Sequence, residues 1–408
     1  MPDRGSINLF DHSTIDLEVL KKRAYNLRWA TVPGGVIPLT AADPDFPCAP
    51  EITEEISRFI KDRYFSYGPP EGMLEFRESM AKYFQEKRNI SVSPGLIFPV
   101  DSAAYGIYLT CKAFLSAGEE AIIFDPVDFL FRYSIESVGG VAVPFPIPAG
   151  DTPDFERLDQ LITIKTRLIC LCNPLNPTGK VFTKNELLKL ADIAFRHDLT
   201  ILSDEIWSDI VYTPNVFTSI ASLNEEIRRR TVTITGFSKS YGLAGLRIGA
   251  VMASNKAHYK KLMDASLHYS TIHGANVVSQ IAATAALDKC GYWLSGFLAH
   301  LHNIRGKCVD GLNAIPGFKC IAPEGCYVAF VNIEGTHKTS SEIQELLMND
   351  AKVAVVPGLA EWFGDGATGH IRISFATSDE MIGEALSKIK STMLNHTKTV
   401  AVNMGMNV

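Results

Sequence analysis

Seven short apolar runs recur between residues 96 and 253, and they constrain the fold more than any other feature. They read LIFPV (96–100), AIIFD (121–125), VAVPFP (141–146), LICLCN (168–173), TILSDE (200–205), TVTITGF (231–237) and RIGAVMA (247–253). Runs this short, continuously apolar and rich in β-branched residues predict strands buried on both faces. The stretches between them, such as NELLKLADIAFRHD (185–198), are long enough for crossover helices. The expected architecture is therefore α/β, a mostly parallel sheet covered by helices. Ligands of such sheets bind at the carboxyl ends of the strands.

After residue 285 the pattern changes. A long helical stretch, GYWLSGFLAHLHNIRGKCVDGLNAI, precedes the short strand-like runs YVAFVNI (327–333), VAVVPG (353–358) and HIRISFA (370–376). This predicts a second, smaller α+β unit. The boundaries expected are an N-terminal arm over 1–47 that packs on the small unit or on another subunit, a large domain over 48–288, and a C-terminal small domain over 289–408. The tail from residue 395 lacks helical pattern and is expected to fray.

Charge excludes several functions. Thirty-nine basic against forty-five acidic residues give −6 with no basic run, so neither nucleic acid nor an anionic membrane is an expected partner. No apolar stretch reaches the ~18 residues of a membrane span, and MPDRGSINLF is charged where a signal peptide is apolar, so a cytoplasmic protein is expected. Eight scattered cysteines suggest neither a disulfide framework nor a metal site.

Four polar clusters follow strands. Ser102, Ala103 and Ala104 open a helix, where free amides and the helix dipole can hold a phosphate, although taken alone the cluster is better explained by an ordinary N-cap at Asp101 or Ser102. In NPLNPTG (173–179), prolines and a glycine set a rigid turn able to aim the Asn176 amide into a cleft. Asp204 and Glu205 end a very apolar strand, where an acid must be hydrogen-bonded or paired with a cation. Lys239, between an apolar strand and a glycine-rich turn, is better explained as a Schiff-base nucleophile than as a surface lysine, and Arg247 follows eight residues later. His268, His273 and the run Arg228 to Arg230 read as structural or solvated.

Taken in order, NPLNPTG, SDEI, SKSYGLAGLRIG and RISF resemble the signature of the fold type I pyridoxal phosphate (PLP) enzymes, the class I/II aminotransferase family, over residues 35–390. The resemblance implies a PLP-dependent transferase-like fold with a seven-stranded large-domain sheet. It implies an enzyme moving the α-amino group of an amino acid to a 2-oxo acid. Lys239 would hold the cofactor and shuttle the proton, and Asp204 would keep its ring nitrogen protonated. Asn176 would donate to the ring oxygen, the Ser102 to Ala104 turn and Arg247 would bind the phosphate, and Arg372 would grip the substrate α-carboxylate. Tyr67, in YGPPEG, would cross a homodimer interface to the neighbouring phosphate.

The sequence also departs from that pattern. Trp207 stands where the family has a tyrosine, and its indole N–H can donate but not accept. The ring-stacking aromatic falls on Asp128, so Phe129 is expected to take that task after a one-residue shift. Gly236 replaces a phosphate-binding serine, leaving Ser238 or a backbone amide to substitute. Ala42 replaces the glycine beside the substrate carboxylate. AADPDF and SDEIWSDIV also resemble the C–S β-lyase branch of the fold, so elimination from a cysteine S-conjugate such as cystathionine is the alternative reaction. A remote third reading, a non-catalytic PLP-binding regulator, predicts loss of Lys239, Asp204 or Arg372, and all three are present.

Overall fold

The computed structural model describes residues 9–403, with side chains up to residue 396. Among the described residues thirteen strands form three sheets. In chain order they are β1 (Ile37–Pro38), β2 (Ile97–Val100), β3 (Glu120–Asp125), β4 (Val141–Pro146), β5 (Thr166–Cys172), β6 (Thr200–Asp204), β7 (Thr231–Gly236), β8 (Gly249–Met252), β9 (Lys319–Cys320), β10 (Val328–Asn332), β11 (Val353–Ala354), β12 (Val356–Pro357) and β13 (His370–Ser374).

The large sheet has the order β2-β8-β7-β6-β5-β3-β4. Only β8 runs antiparallel to its neighbours β2 and β7. The others are parallel and feed helices such as Lys184–Arg196, whose start is fixed by a capping box in which Thr183 and Glu186 exchange hydrogen bonds. Every residue of β2, β7 and β8 is buried, as continuous apolar runs require. The run 141–146 departs from the expectation of two buried faces: β4 is an edge strand of the sheet, and Val141 is 47% exposed. Its two prolines, Pro144 and Pro146, lack ladder donors, which an edge strand tolerates and a central strand does not.

The small unit is built on the antiparallel sheet β12-β13-β10-β9, backed by the 23-residue helix Gly291–Asn313. The N-terminal arm packs on it: β1 pairs with β11, and the Ser374 and Asp45 amides donate to Leu39 and Ala376 carbonyls. Arg28 and Asp45, both buried, are paired within this arm, and Trp29 Nε1 donates to Asp45 at 2.7 Å. The last helix runs over Asp379–Asn403, through the residues expected to fray, while 404–408 lie outside the described residues. Among the described residues no helix is long and apolar enough to cross a membrane.

Candidate active site

Strand alternation sorts the two acids that end β6. Successive side chains point to opposite faces, so Glu205 turns to Ser203 and Ser219, whose hydroxyls donate at 3.1 and 2.5 Å, while Asp204 turns the other way. Asp204 is 5% exposed and accepts from the Ile206 amide at 3.1 Å. Burial pushes its carboxyl up to about 7, and the nearby Asp128 and Glu205 reinforce the effect. A buried carboxylate of this kind asks for a cationic or protonated partner.

The Lys239 amine approaches from the loop after β7. Its Nζ donates to the Ala42 carbonyl at 2.6 Å and lies 5.3 Å from the centre of the Trp207 ring. Burial lowers its pKa, and the Asp43 carboxylate opposes that effect. Tyr327 closes this wall: its hydroxyl also donates to the Ala42 carbonyl, at 3.2 Å, and its ring meets Trp207 edge-on at 4.7 Å.

Arg372, on β13, enters from the small unit. Its NH1 donates to Asn176 Oδ1 at 3.1 Å and its NH2 to the Thr40 carbonyl at 3.2 Å, while the buried Nε has no partner. Asn176 is held in turn, its Nδ2 donating to Asp128 Oδ2 at 3.0 Å. The NPLNPTG turn can sit this close to the small unit because Gly179, at φ +74°, leaves room that a Cβ would take from Pro323 and the Gly325 carbonyl.

Ser102 is the N-cap of helix Ala103–Phe114, and its hydroxyl accepts from the Tyr105 amide at 3.1 Å. The helix begins its own ladder at the Gly106 amide, so the amides of Ala103 and Ala104 come before it. Gly249 lets β8 press against this turn, since a Cβ there would stand 2.9 Å from the Ala103 nitrogen. Ser238 is half-buried beside Lys239.

Three expected residues lie on the surface of the chain. Arg247 is exposed at φ +50°, with NH1 donating to the Ala244 carbonyl at 3.4 Å. Tyr67 is 86% exposed and meets His273 edge-on at 4.7 Å. Phe129 is 40% exposed, packs edge-on against Trp362 at 5.9 Å, and gives its amide to the Trp362 carbonyl. The turn therefore directs Phe129 to Trp362 and Asp128 to Asn176. Phe129, with helical backbone at the N-cap of Leu130–Ser137, lines a cavity together with Asp125 and Asp128.

A family profile described as "Aminotransferase class I and II" matches residues 34–389. The chain belongs to the class I and II aminotransferases. An aspartate aminotransferase of Pyrococcus abyssi is 32% identical over 364 residues, covering 88% of this chain and 92% of that one. The crystal structure of the aromatic aminotransferase from Pyrococcus horikoshii superposes with a TM-score of 0.84 at 30% identity, covering 90% of this chain and 97% of that one. Cystalysin from Treponema denticola, whose structure contains PLP, superposes at 0.85 with 23% identity, covering 92% and 97%, and shares the fold. This aminotransferase is a PLP enzyme that transfers amino groups. Its residues fit that cofactor: a buried carboxylate with no ion pair among the described residues, an amine near it, leading helix amides and an incompletely bonded guanidinium.

Sequence reasoning missed Asp43, Asp128 and Tyr327 as members of the cluster. Asp43 adjoins Ala42 and was within reach. Tyr327 precedes an ordinary-looking buried strand and carries no signal of its own.

Proposed function

We propose that Lys239, Asp204, Asn176 and Arg372 carry out amino-group transfer between an α-amino acid and a 2-oxo acid. Bound PLP supplies the electron sink that makes the amino-acid Cα proton removable. The residues supply the rest. Lys239 attaches the cofactor and carries the proton on Nζ, a task helped by the lowered basicity that burial gives it. Asp204 would hold the ring nitrogen in its protonated form, and the second Nδ2 hydrogen of Asn176 would be free to donate to the ring oxygen. Ser102 and the Ala103 and Ala104 amides would hold the phosphate, with Arg247 and Ser238. Trp207 and Tyr327 wall the lysine, and Ala42 offers the carbonyl on which the free amine rests. Arg372 takes the substrate α-carboxylate as a fork.

The observation that carries this reading is the electrostatic meeting of Lys239, Asp204, Asp128 and Arg372, drawn from the loop after β7, the end of β6, the turn after β3 and β13. The enzyme acts as a homodimer in which Tyr67 reaches the neighbouring phosphate. Its eight free cysteines suit a cytoplasmic protein. The relatives are named for aspartate and for aromatic amino acids, and both classes carry the α-carboxylate that Arg372 requires.

Lys239→Ala tests the assignment. Circular dichroism should be unchanged, borohydride should no longer fix cofactor to the protein, and turnover should fall at least about 10²- to 10⁴-fold. Near-normal turnover would overturn it.

A further inference from the structure

The turn after β3 brings to this cluster an acid that amino-group transfer does not need. Asp128 is half-buried and both its oxygens are held: Oδ2 accepts from Asn176 Nδ2 at 3.0 Å, and Oδ1 accepts from the Leu130 amide at 3.2 Å. Burial pushes this carboxyl up from its ordinary value, while the Arg372 and Lys239 charges and the Leu130 and Asn176 donors pull it back toward the charged form. The same Asn176 accepts from Arg372 NH1 at its Oδ1, so the carboxylate stands two hydrogen bonds from the guanidinium. Asp43 and Asp204 add two more acids around Lys239. The other buried guanidinium groups, Arg28 and Arg88, are bound to Asp45 and Asp209. Among the described residues, Lys239 and Arg372 are thus the cations inside the cluster, while the half-buried Arg132 lines a cavity with Asp128 and faces Asp125.

We propose that Asp128 sets specificity by charge, so that the enzyme takes amino acids with uncharged side chains and rejects aspartate and glutamate. The inference rests on reading Arg372 as the α-carboxylate anchor. With that fork committed, a second carboxylate on the substrate meets Asp128 where it would need a cation, and like charges in a site of low dielectric repel strongly. The amino acid and the 2-oxo acid occupy the same site in turn. The acceptor is therefore monocarboxylic as well.

Two independent measurements test this on the PLP-loaded enzyme, its Asp128→Asn variant and its Asp128→Glu variant. The first mixes enzyme with L-phenylalanine, L-alanine, L-aspartate or L-glutamate in a single turnover. The second measures binding of the unreactive acids succinate and 3-phenylpropionate through tryptophan fluorescence, Trp207 being in the cluster. The neutral amino acids should react at least about tenfold faster than the acidic ones, and succinate should bind at least about tenfold more weakly than 3-phenylpropionate. Asp128→Asn should narrow both gaps by about tenfold, which corresponds to ~1.4 kcal/mol, and Asp128→Glu should keep them. Aspartate or glutamate reacting as fast as the best neutral amino acid would overturn the inference, as would gaps that Asp128→Asn leaves unchanged or equal affinity for the two acids. An enzyme inert to all four amino acids that still discriminates between the acids would refute the proposed function while supporting the role of Asp128.

Discussion

At the scale of single residues, Asp204 shows how a site stores a need for its ligand. Its carboxyl is pushed from 3.8 up to about 7 because burial disfavours the charged form. In the cofactor-free protein the native state then keeps a proton that the unfolded chain releases near pH 3.8. Between about pH 4 and 7 the unfolded state binds fewer protons, so the contribution of Asp204 to stability falls as pH rises. Asp204→Asn cannot titrate. Its cofactor-free form should gain on the parent between pH 5 and 7.5, by on the order of 1 kcal/mol or more, since one pH unit of displacement is worth about 1.4 kcal/mol. Thermal melts at both pH values check this, and parallel pH profiles would show that the carboxyl titrates normally. Glu205, also raised to about 7, stands in both proteins and enters the comparison only through its coupling to Asp204.

At the scale of elements, the loop that carries Lys239 is anchored by a pair the sequence hides. Asp209 Oδ2 accepts from Ser240 Oγ at 2.8 Å, one residue beyond the lysine, while Oδ1 accepts from Arg88 NH2 at 2.5 Å and from Tyr83 OH at 2.8 Å. Arg88 ends helix Leu74–Arg88, so one carboxylate ties that helix, the turn after β6 and the lysine loop together. Asp209→Ala leaves the Arg88 charge buried without its counter-ion and should cost about 3–5 kcal/mol. Adding Arg88→Met should return much of the loss, and denaturant unfolding of the single and double variants measures both. No periodicity announces a partner 121 positions away. Lys239, Asp204, Asn176 and Arg372 were legible because each sits in or just beyond an apolar run whose end fixes its place. Asp128 was not, because which side chain a turn turns inward depends on backbone angles that composition does not determine. The edge position of β4 was equally hard to read, since its run is as apolar as the central ones and only its prolines hint at the difference.

At the scale of the whole molecule, the two units are latched beside the site. Asp125 accepts from the Gly366 amide with both oxygens at 3.1 and 3.2 Å, and the Val127 amide donates to the Phe363 carbonyl at 2.9 Å. The opposite margin is unfinished. Tyr64, Phe65 and Tyr67 are 79%, 65% and 86% exposed in a segment without regular structure, and Tyr269 and Ile272 are 58% and 45% exposed nearby in sequence to His273, which Tyr67 touches. A cavity of about 410 Å³ lined by Phe59, Phe65, Tyr67, His273 and Val277 opens between these segments. So much apolar surface in one place marks an interface. A second copy of the chain is its expected occupant, since a twofold partner would cover the same patch on both subunits and bring each Tyr67 toward the other's site. Sedimentation should therefore give a dimer. Phe65→Glu combined with Tyr269→Glu should give a folded monomer whose turnover falls about tenfold or more, because the phosphate loses its neighbour's hydroxyl. A monomer that keeps full activity at assay dilution would show that one chain completes the site alone.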